Sequence, residues 1–249
     1  MIAQASILNP IKFFNTVQED YWQTPSKNGP DRGNFFRYIP TGVNFSLYFT
    51  ADAAIAFIDL KKCSDNSVIG SFAVASLGSG LYSSVVNIGT VYSFNVYLEV
   101  RDSNPVVRSE QFRTALTADY NITRQTLIQY RNVKEFAGIP ANTLMQTYLN
   151  ISFWMQKNPQ TYEDIEIAPG EFTRLTNEIH RTLKLETDYY PAYLHEYLQI
   201  VLGLDYVFIN GKEWIMRNNY AYDYPNRHFA LTKGQIELTE RKSILRNTI

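Results

Sequence analysis

Tyr206-Val207-Phe208-Ile209-Asn210-Gly211-Lys212-Glu213-Trp214-Ile215 is the stretch whose reading decides the fold. Asn-Gly tolerates the positive φ angles of a type I′ turn, so two short apolar runs separated by that pair form a tight hairpin. Just upstream, Pro191 stands at the favoured first-turn position of a helix. Leu194, Tyr197, Leu198, Val201 and Leu202 follow on one face at helical spacing, and Gly203 supplies the stop. The spacing predicts a helix over 191–203, with His195, Glu196 and Gln199 on its solvated side. Downstream, Lys233-Gly234 sits between residues 228–232 and 235–240 as a second, weaker hairpin signal, with Ile236 and Leu238 as core positions. One amphipathic helix set among strand pairs makes residues 119–249 a strand-rich α+β domain. Within it, Thr126 to Tyr130, Ser152 to Met155, Glu163 to Ile167 and Phe172 to Leu185 read as extended, with a break at Gly138-Ile139-Pro140 and turns at Pro159 and Pro169-Gly170.

Toward the N-terminus the period changes from helical to two. Val43, Phe45, Leu47 and Phe49 alternate with Asn44, Ser46 and Tyr48, and Tyr92, Phe94, Val96, Leu98 and Val100 alternate with Ser93, Asn95, Tyr97 and Glu99. Such alternation buries one face of a strand. Ile55 to Leu60, Val68 to Ala75 and Leu81 to Ile88 fill the interval, separated by Ser64-Asp65-Asn66 and Gly78-Ser79-Gly80, and Val107 to Leu116 is a return strand. Strands at this spacing predict an immunoglobulin-like β-sandwich over residues 33–118. Residues 1–32 carry Pro10, Pro25, Gly29 and Pro30 and read as an arm or edge segment. The fold class expected is therefore mainly β with minor α.

Composition excludes several classes of function. Of 249 residues, 45% are hydrophobic and 19% charged, which is the balance of a globular chain. Lys plus Arg number 23 and Asp plus Glu 24, a formal charge of -1. Nothing in that balance steers the protein toward nucleic acid or an anionic membrane, so neither is expected as a partner. The start lacks the basic flank and unbroken apolar core of a signal peptide, and no run approaches the roughly 18 apolar residues of a membrane-spanning helix. Cys63 is the only cysteine; an intrachain disulfide is impossible and a buried small hydrophobe is the expected role.

Catalytic constellations are missing from the sequence. The three histidines, His180, His195 and His228, stand in separate segments, and the position four beyond His195 is Gln199, so no zinc-protease helix is formed. Gly78-Ser79-Gly80 lacks the downstream Gly and Lys of a phosphate loop and reads as a hairpin turn. Glu163, Asp164 and Glu166 form a carboxylate cluster expected on a solvated strand edge, where charge blocks unwanted pairing. No enzyme activity, cofactor or metal is expected. The aromatic residues carry the remaining signal. Tyr220, Tyr222 and Tyr224 beside Asn218 and Asn219, together with Trp214, suit either stacking on sugar or a subunit interface. Ile7, Leu8, Phe13, Phe14, Tyr21 and Trp22 would be costly to leave exposed on a free arm, which makes residues 1–32 a candidate for reaching a neighbouring copy. The tail from Arg241 to Ile249 is a second candidate.

Leu185-Glu186-Thr187-Asp188-Tyr189-Tyr190 leading into Pro191-Ala192-Tyr193-Leu194, then Val201-Leu202-Gly203, Val207 to Gly211 and Gln235-Ile236-Glu237-Leu238-Thr239, resembles the C-terminal module of virion proteins of tailed phages and prophages of Bacteroidetes, crAss-like phages included. Arg108-Ser109-Glu110-Gln111-Phe112 is similar to the Ser-Glu-Pro-Phe strand of their N-terminal sandwich, with Gln111 where that pattern has Pro. The resemblance implies a structural virion protein of the tail, neck or baseplate, located in the virion after assembly in the host cytoplasm. Its partners would be copies of itself in a ring and other phage tail or neck proteins. The alternative kept beside it is a carbohydrate- or receptor-binding β-sandwich module.

Overall fold

The computed structural model describes residues 3–14, 37–89, 95–101, 103–104, 106–119, 123–157, 160–179, 181–223, 231–241 and 245–248. The fold is mainly β with minor α, as the patterning predicts. The first domain contains β1 (Ala3–Ala5), β2 (Phe13–Phe14), β3 (Arg37–Pro40), β4 (Val43–Ala51), β5 (Phe57–Lys62), β6 (Val68–Gly78), β7 (Leu81–Ile88), β8 (Val96–Val100), β9 (Arg108–Ser109) and β10 (Phe112–Ala115). Its strand order is β1-β4-β7-β6-β5-β8-β10-β3, and the short β2 pairs with β9, which pairs with β8. The two layers are therefore not separate sheets, because the long β6 pairs with β7 on one side and with β5 on the other. Alternation does what it predicts in β4, whose Phe45, Leu47 and Phe49 meet Ile58, Leu60, Val86, Leu98 and Phe112 in one core. The expected return strand over Val107 to Leu116 is split into β9 and β10.

The second domain contains β11 (Gln125–Arg131), β12 (Met145–Lys157), β13 (Gln160–Ala168), β14 (Glu171–Ile179), β15 (Thr182–Thr187), α1 (Ala192–Leu202), β16 (Tyr206–Ile209), β17 (Lys212–Met216), β18 (Ala221–Tyr222), β19 (Gly234–Glu240) and β20 (Leu245–Thr248). Strands β15-β12-β11-β16-β17-β19 pair in that order, and β19 pairs back on β15. They form a closed six-stranded antiparallel barrel, which leaves no free edge among its members. Alternate residues fill it: Ile128 and Tyr130 from β11, Leu149 and Ile151 from β12, Leu185, Val207, Ile209, Trp214, Ile236 and Leu238 from the rest, joined by Leu194, Leu198, Val201 and Leu202 of α1. Asn210 and Gly211 have φ of 49° and 78°, as the β16–β17 hairpin turn requires.

Two local expectations are corrected. Lys233-Gly234 does not turn a hairpin between neighbouring strands, because β19 pairs with β15, β17 and β18, and Thr232 makes only an isolated bridge to Tyr190. Phe172 to Leu185 is two strands, β14 and β15, the first belonging to a separate three-stranded sheet ordered β13-β14-β20.

The N-terminal segment is not a free arm over its described part. β1 lies on the edge of the first domain beside β4, and Asn9 extends that pairing with its side chain: Nδ2 donates to the Tyr48 carbonyl (3.0 Å) and Oδ1 accepts from the Tyr48 N–H (2.9 Å). The segment then threads between the domains. Phe13 packs edge-on against Phe49 of the first core, and Phe14 packs edge-on against Tyr193 of α1 in the second. The rest of the expected arm, with Tyr21 and Trp22, lies outside the described residues.

Candidate functional site

A buried polar cluster joins the two domains. Arg37 Nη1 lies 2.5 Å from Glu110 Oε1, with side chains 4% and 0% exposed. Each partner is also held by the second domain or by the threading segment. Arg37 donates to the Pro10 carbonyl (3.0 Å), to Thr147 Oγ1 (2.7 Å) and to the Tyr148 carbonyl (2.9 Å). Glu110 accepts from the Lys12 backbone N–H at Oε1 and from the Tyr193 hydroxyl at Oε2, both at 3.0 Å. Burial lowers the Arg37 pKa, but the Glu110 carboxylate and the Tyr197 and Tyr193 hydroxyls together offset that and hold it above its ordinary value. Beside them Tyr130 donates to the Leu8 carbonyl (2.6 Å) and lies 2.7 Å from the Tyr197 hydroxyl, whose pKa burial pushes up to about 12. Every strong donor and acceptor here but Arg37 Nε finds a partner inside the protein. The arrangement stabilises one relative placement of the domains.

The second cluster surrounds His195. The predicted helix is present, but His195 is fully buried instead of solvated, because Tyr220, Tyr222 and Thr232 pack over that side of α1. His195 Nε2 lies 2.9 Å from the Thr232 carbonyl, which can only accept, so Nε2 carries the proton. Nδ1 therefore accepts from the Tyr220 hydroxyl at 2.6 Å. Tyr220 also bonds Thr187, whose Oγ1 accepts from the Gly234 N–H at 2.8 Å. The Tyr222 ring stacks on the imidazole at 4.5 Å and 12°. Burial lowers the His195 pKa from 6.5, with the Thr232 and Tyr190 backbone contacts opposing it.

Protonation would put two protons on a ring whose Nδ1 partner is already donating. With the folded pKa below the unfolded value, the stabilisation from neutral His195 is complete above pH 6.5 and declines as pH falls through 6.5 toward the folded pKa. The expected result is an unfolding midpoint that drops on going from about pH 7.5 to about pH 5, and a flatter dependence in His195→Gln. A midpoint that rises on acidification, or an equal slope in the variant, would contradict this.

The third feature is on the outside. Strands β13 and β14 form a long hairpin, closed at Pro169-Gly170, that among the described residues no element except β20 touches more than glancingly. Glu163 through Ile167 are all exposed, so the ribbon has solvent on both faces. Ile167 is 64% and Phe172 66% exposed. Phe172 pairs with Glu166 and Ile165 with Thr173, which puts Phe172 and Ile165 on opposite faces. The carboxylates Glu163, Asp164 and Glu166 stand on the solvated edge strand, as their spacing predicts, and Glu166 Oε1 accepts from the Gly170 N–H at 2.8 Å. A groove of about 290 Å³ lies elsewhere, at the domain junction, lined by Ala5, Ile7, Tyr48, Phe49, Ala137 and Gly138 among others.

No family model, curated protein or solved structure matches this chain. Its function has to be argued from the geometry of these features and from the motif resemblance.

The aromatic candidates divide accordingly. Phe13, Phe14, Trp214 and Tyr220 are buried within the chain, so the expectation that they present a surface to a neighbour is corrected: their rings already fill its two cores. Tyr222 is half-buried and Tyr224 lies outside the described residues, as do His180 and His228. Cys63 is partly exposed where a buried position was expected. The described part of the C-terminal tail pairs with β14 and does not extend freely. Among the described residues no group of three or more His, Cys, Asp or Glu side chains could hold a metal ion, and no helix is long and apolar enough to cross a membrane. Arg37 stands in no motif of the sequence, and the motifs that contain Glu110 and Tyr193 carry no sign that the two side chains meet it.

Proposed function

We propose that this chain is a structural subunit of a tailed-phage virion that acts through contact surfaces, joining copies of itself in a ring of the tail, neck or baseplate and meeting other tail or neck proteins there. The observation that carries the assembly part is the β13–β14 hairpin. β20 pairs only with the base of this hairpin, Thr176–Ile179, and the exposed apolar side chains on both faces of its outer part are a cost that a partner surface removes. The same chain supplies an apolar groove at its domain junction. A projecting patch and a receiving patch on different surfaces of one chain are what a head-to-tail contact uses, and such contacts close into rings when the rotation permits. The polar cluster at Arg37 and Glu110 supports the reading in another way, since a ring needs subunits whose two domains keep one geometry. The virion setting rests on the resemblance of the Leu185 to Thr239 motifs.

Mass photometry and negative-stain microscopy of the full chain over rising concentration test this. Oligomers of defined size are expected, and Phe172→Asp at the exposed tip should weaken association at least about tenfold, or about 1.4 kcal/mol per contact. A monomer at every concentration that is also absent from purified particles would overturn the reading.

A further inference from the structure

We infer that the cleft beside Tyr222 is a binding site for a neutral saccharide ring. The cleft, of about 310 Å³, is lined by Glu186 at the end of β15, by Ala221, Tyr222 and Asp223 around β18, and by Lys233, Gly234 and Gln235 at the start of β19. Its aromatic element is fixed before any ligand arrives. Tyr222, half-buried and one of the residues that line the cleft, is stacked on the His195 imidazole, both of whose nitrogens are bonded. The β18–β19 pairing, Tyr222 opposite Gly234, holds the backbone beneath it. A ring locked in this way loses little entropy when something stacks on it.

The charges select the ligand class. Glu186 and Asp223 offer two carboxylates against the single ammonium of Lys233, which already lies 3.2 Å from Glu186 and over the Tyr189 ring at 5.2 Å. A phosphate or uronate would meet net negative charge and be repelled. A purely apolar ligand would desolvate the Asp223 carboxylate, the Gln235 amide and the Lys233–Glu186 pair without offering any of them a hydrogen bond. A neutral pyranose satisfies both requirements. Its C–H face can lie on Tyr222, while vicinal hydroxyls donate to the carboxylates and accept from Lys233. The proposal is independent of the assembly reading, since none of the residues that line the cleft belongs to the β13–β14–β20 sheet or lines the domain-junction groove.

Saturation-transfer NMR followed by calorimetry tests it, using the full chain and gluco-, manno-, xylo- and N-acetylglucosamine oligosaccharides, with galacturonate oligosaccharides and glucose 6-phosphate as anionic comparisons. At least one neutral series should bind. Tyr222→Phe should retain that binding, Tyr222→Ala should abolish it, and Asp223→Asn and Glu186→Gln should each weaken it at least tenfold. Because Tyr222→Ala also removes a stacking partner of His195, Asp223→Lys at an exposed position serves as the second variant and should abolish binding with the unfolding midpoint unchanged. Absence of binding across the neutral series, tighter binding of the anionic sugars, or indifference to Asp223→Lys would overturn the proposal. Repeating the titration on Phe172→Asp separates it from assembly: saccharide binding should persist whether or not that variant associates.

Discussion

Glu110→Ala is expected to cost about 3–5 kcal/mol of folding stability, the loss typical of breaking a buried ion pair by removing one partner. The reason is what remains behind. Arg37, 4% exposed, would keep its charge in the domain junction with only neutral acceptors, while the Lys12 N–H and the Tyr193 hydroxyl would lose the carboxylate they donate to. All three groups come from different parts of the chain, so the damage should fall on the seam between the domains. Denaturant unfolding of dilute protein, followed separately by fluorescence and far-UV circular dichroism, is the check. The account expects a lower midpoint and transitions that no longer coincide, as the domains uncouple. Replacing both partners, Arg37→Met with Glu110→Leu, should recover the part of the loss that comes from the unpaired charge, while the Lys12 N–H and the Tyr193 hydroxyl stay without their acceptor. A Glu110→Ala loss below about 1 kcal/mol would mean the pair is a bystander.

Gly234→Ala is expected to destabilise by about 3 kcal/mol, the upper part of the usual range for forcing atoms into a filled interior. A Cβ there would lie 2.0 Å from Tyr220 Oη, 2.5 Å from its Cζ and 2.9 Å from His195 Nδ1. Neither neighbour can retreat cheaply, since Tyr220 is held between Thr187 and His195 and the imidazole is held by Thr232. The substitution would thus break the hydrogen-bond chain that fastens β18 and the Thr232 bridge over α1. Combining it with Tyr220→Ala should cost less than the sum of the two single changes, a coupling that thermal unfolding of the four proteins would measure. Strict additivity would show that the space opens by another route.

The residues explain why the fold was more legible than the site. Local signals were sufficient wherever one face is buried by neighbours close in the chain: the alternation of β4, the turn geometry of Asn210-Gly211 and the apolar stripe of α1 all have local causes. The apolar stripe alone puts His195 on the solvated side of α1, where the structure buries it. His195 lies three and seven positions before Leu198 and Leu202, so it borders that stripe, and the covering groups Tyr220 and Thr232 come from 25 and 37 positions away in the chain. The Arg37–Glu110 pair is separated by 73 positions and has no motif at all, since long-range ion pairs leave no trace in spacing. Barrel closure through β15 and β19 and the independence of the β13–β14–β20 sheet are likewise consequences of pairing. Phe13 and Phe14 were read as costly to expose, which is sound, but the chain itself covers them.

The central claim is that the hairpin tip of one copy seats on the domain-junction groove of the next, two different patches on one chain. Mixing two disabled variants tests it most directly: Phe172→Asp, which damages the tip, and Ile7→Asp, which damages the exposed groove residue. Each keeps one intact patch, so the account predicts that either variant alone is monomeric by mass photometry and that an equimolar mixture forms heterodimers and nothing larger. Variants that still assemble singly to the size of the unaltered protein, or a mixture that remains monomeric while that protein oligomerises, would contradict it.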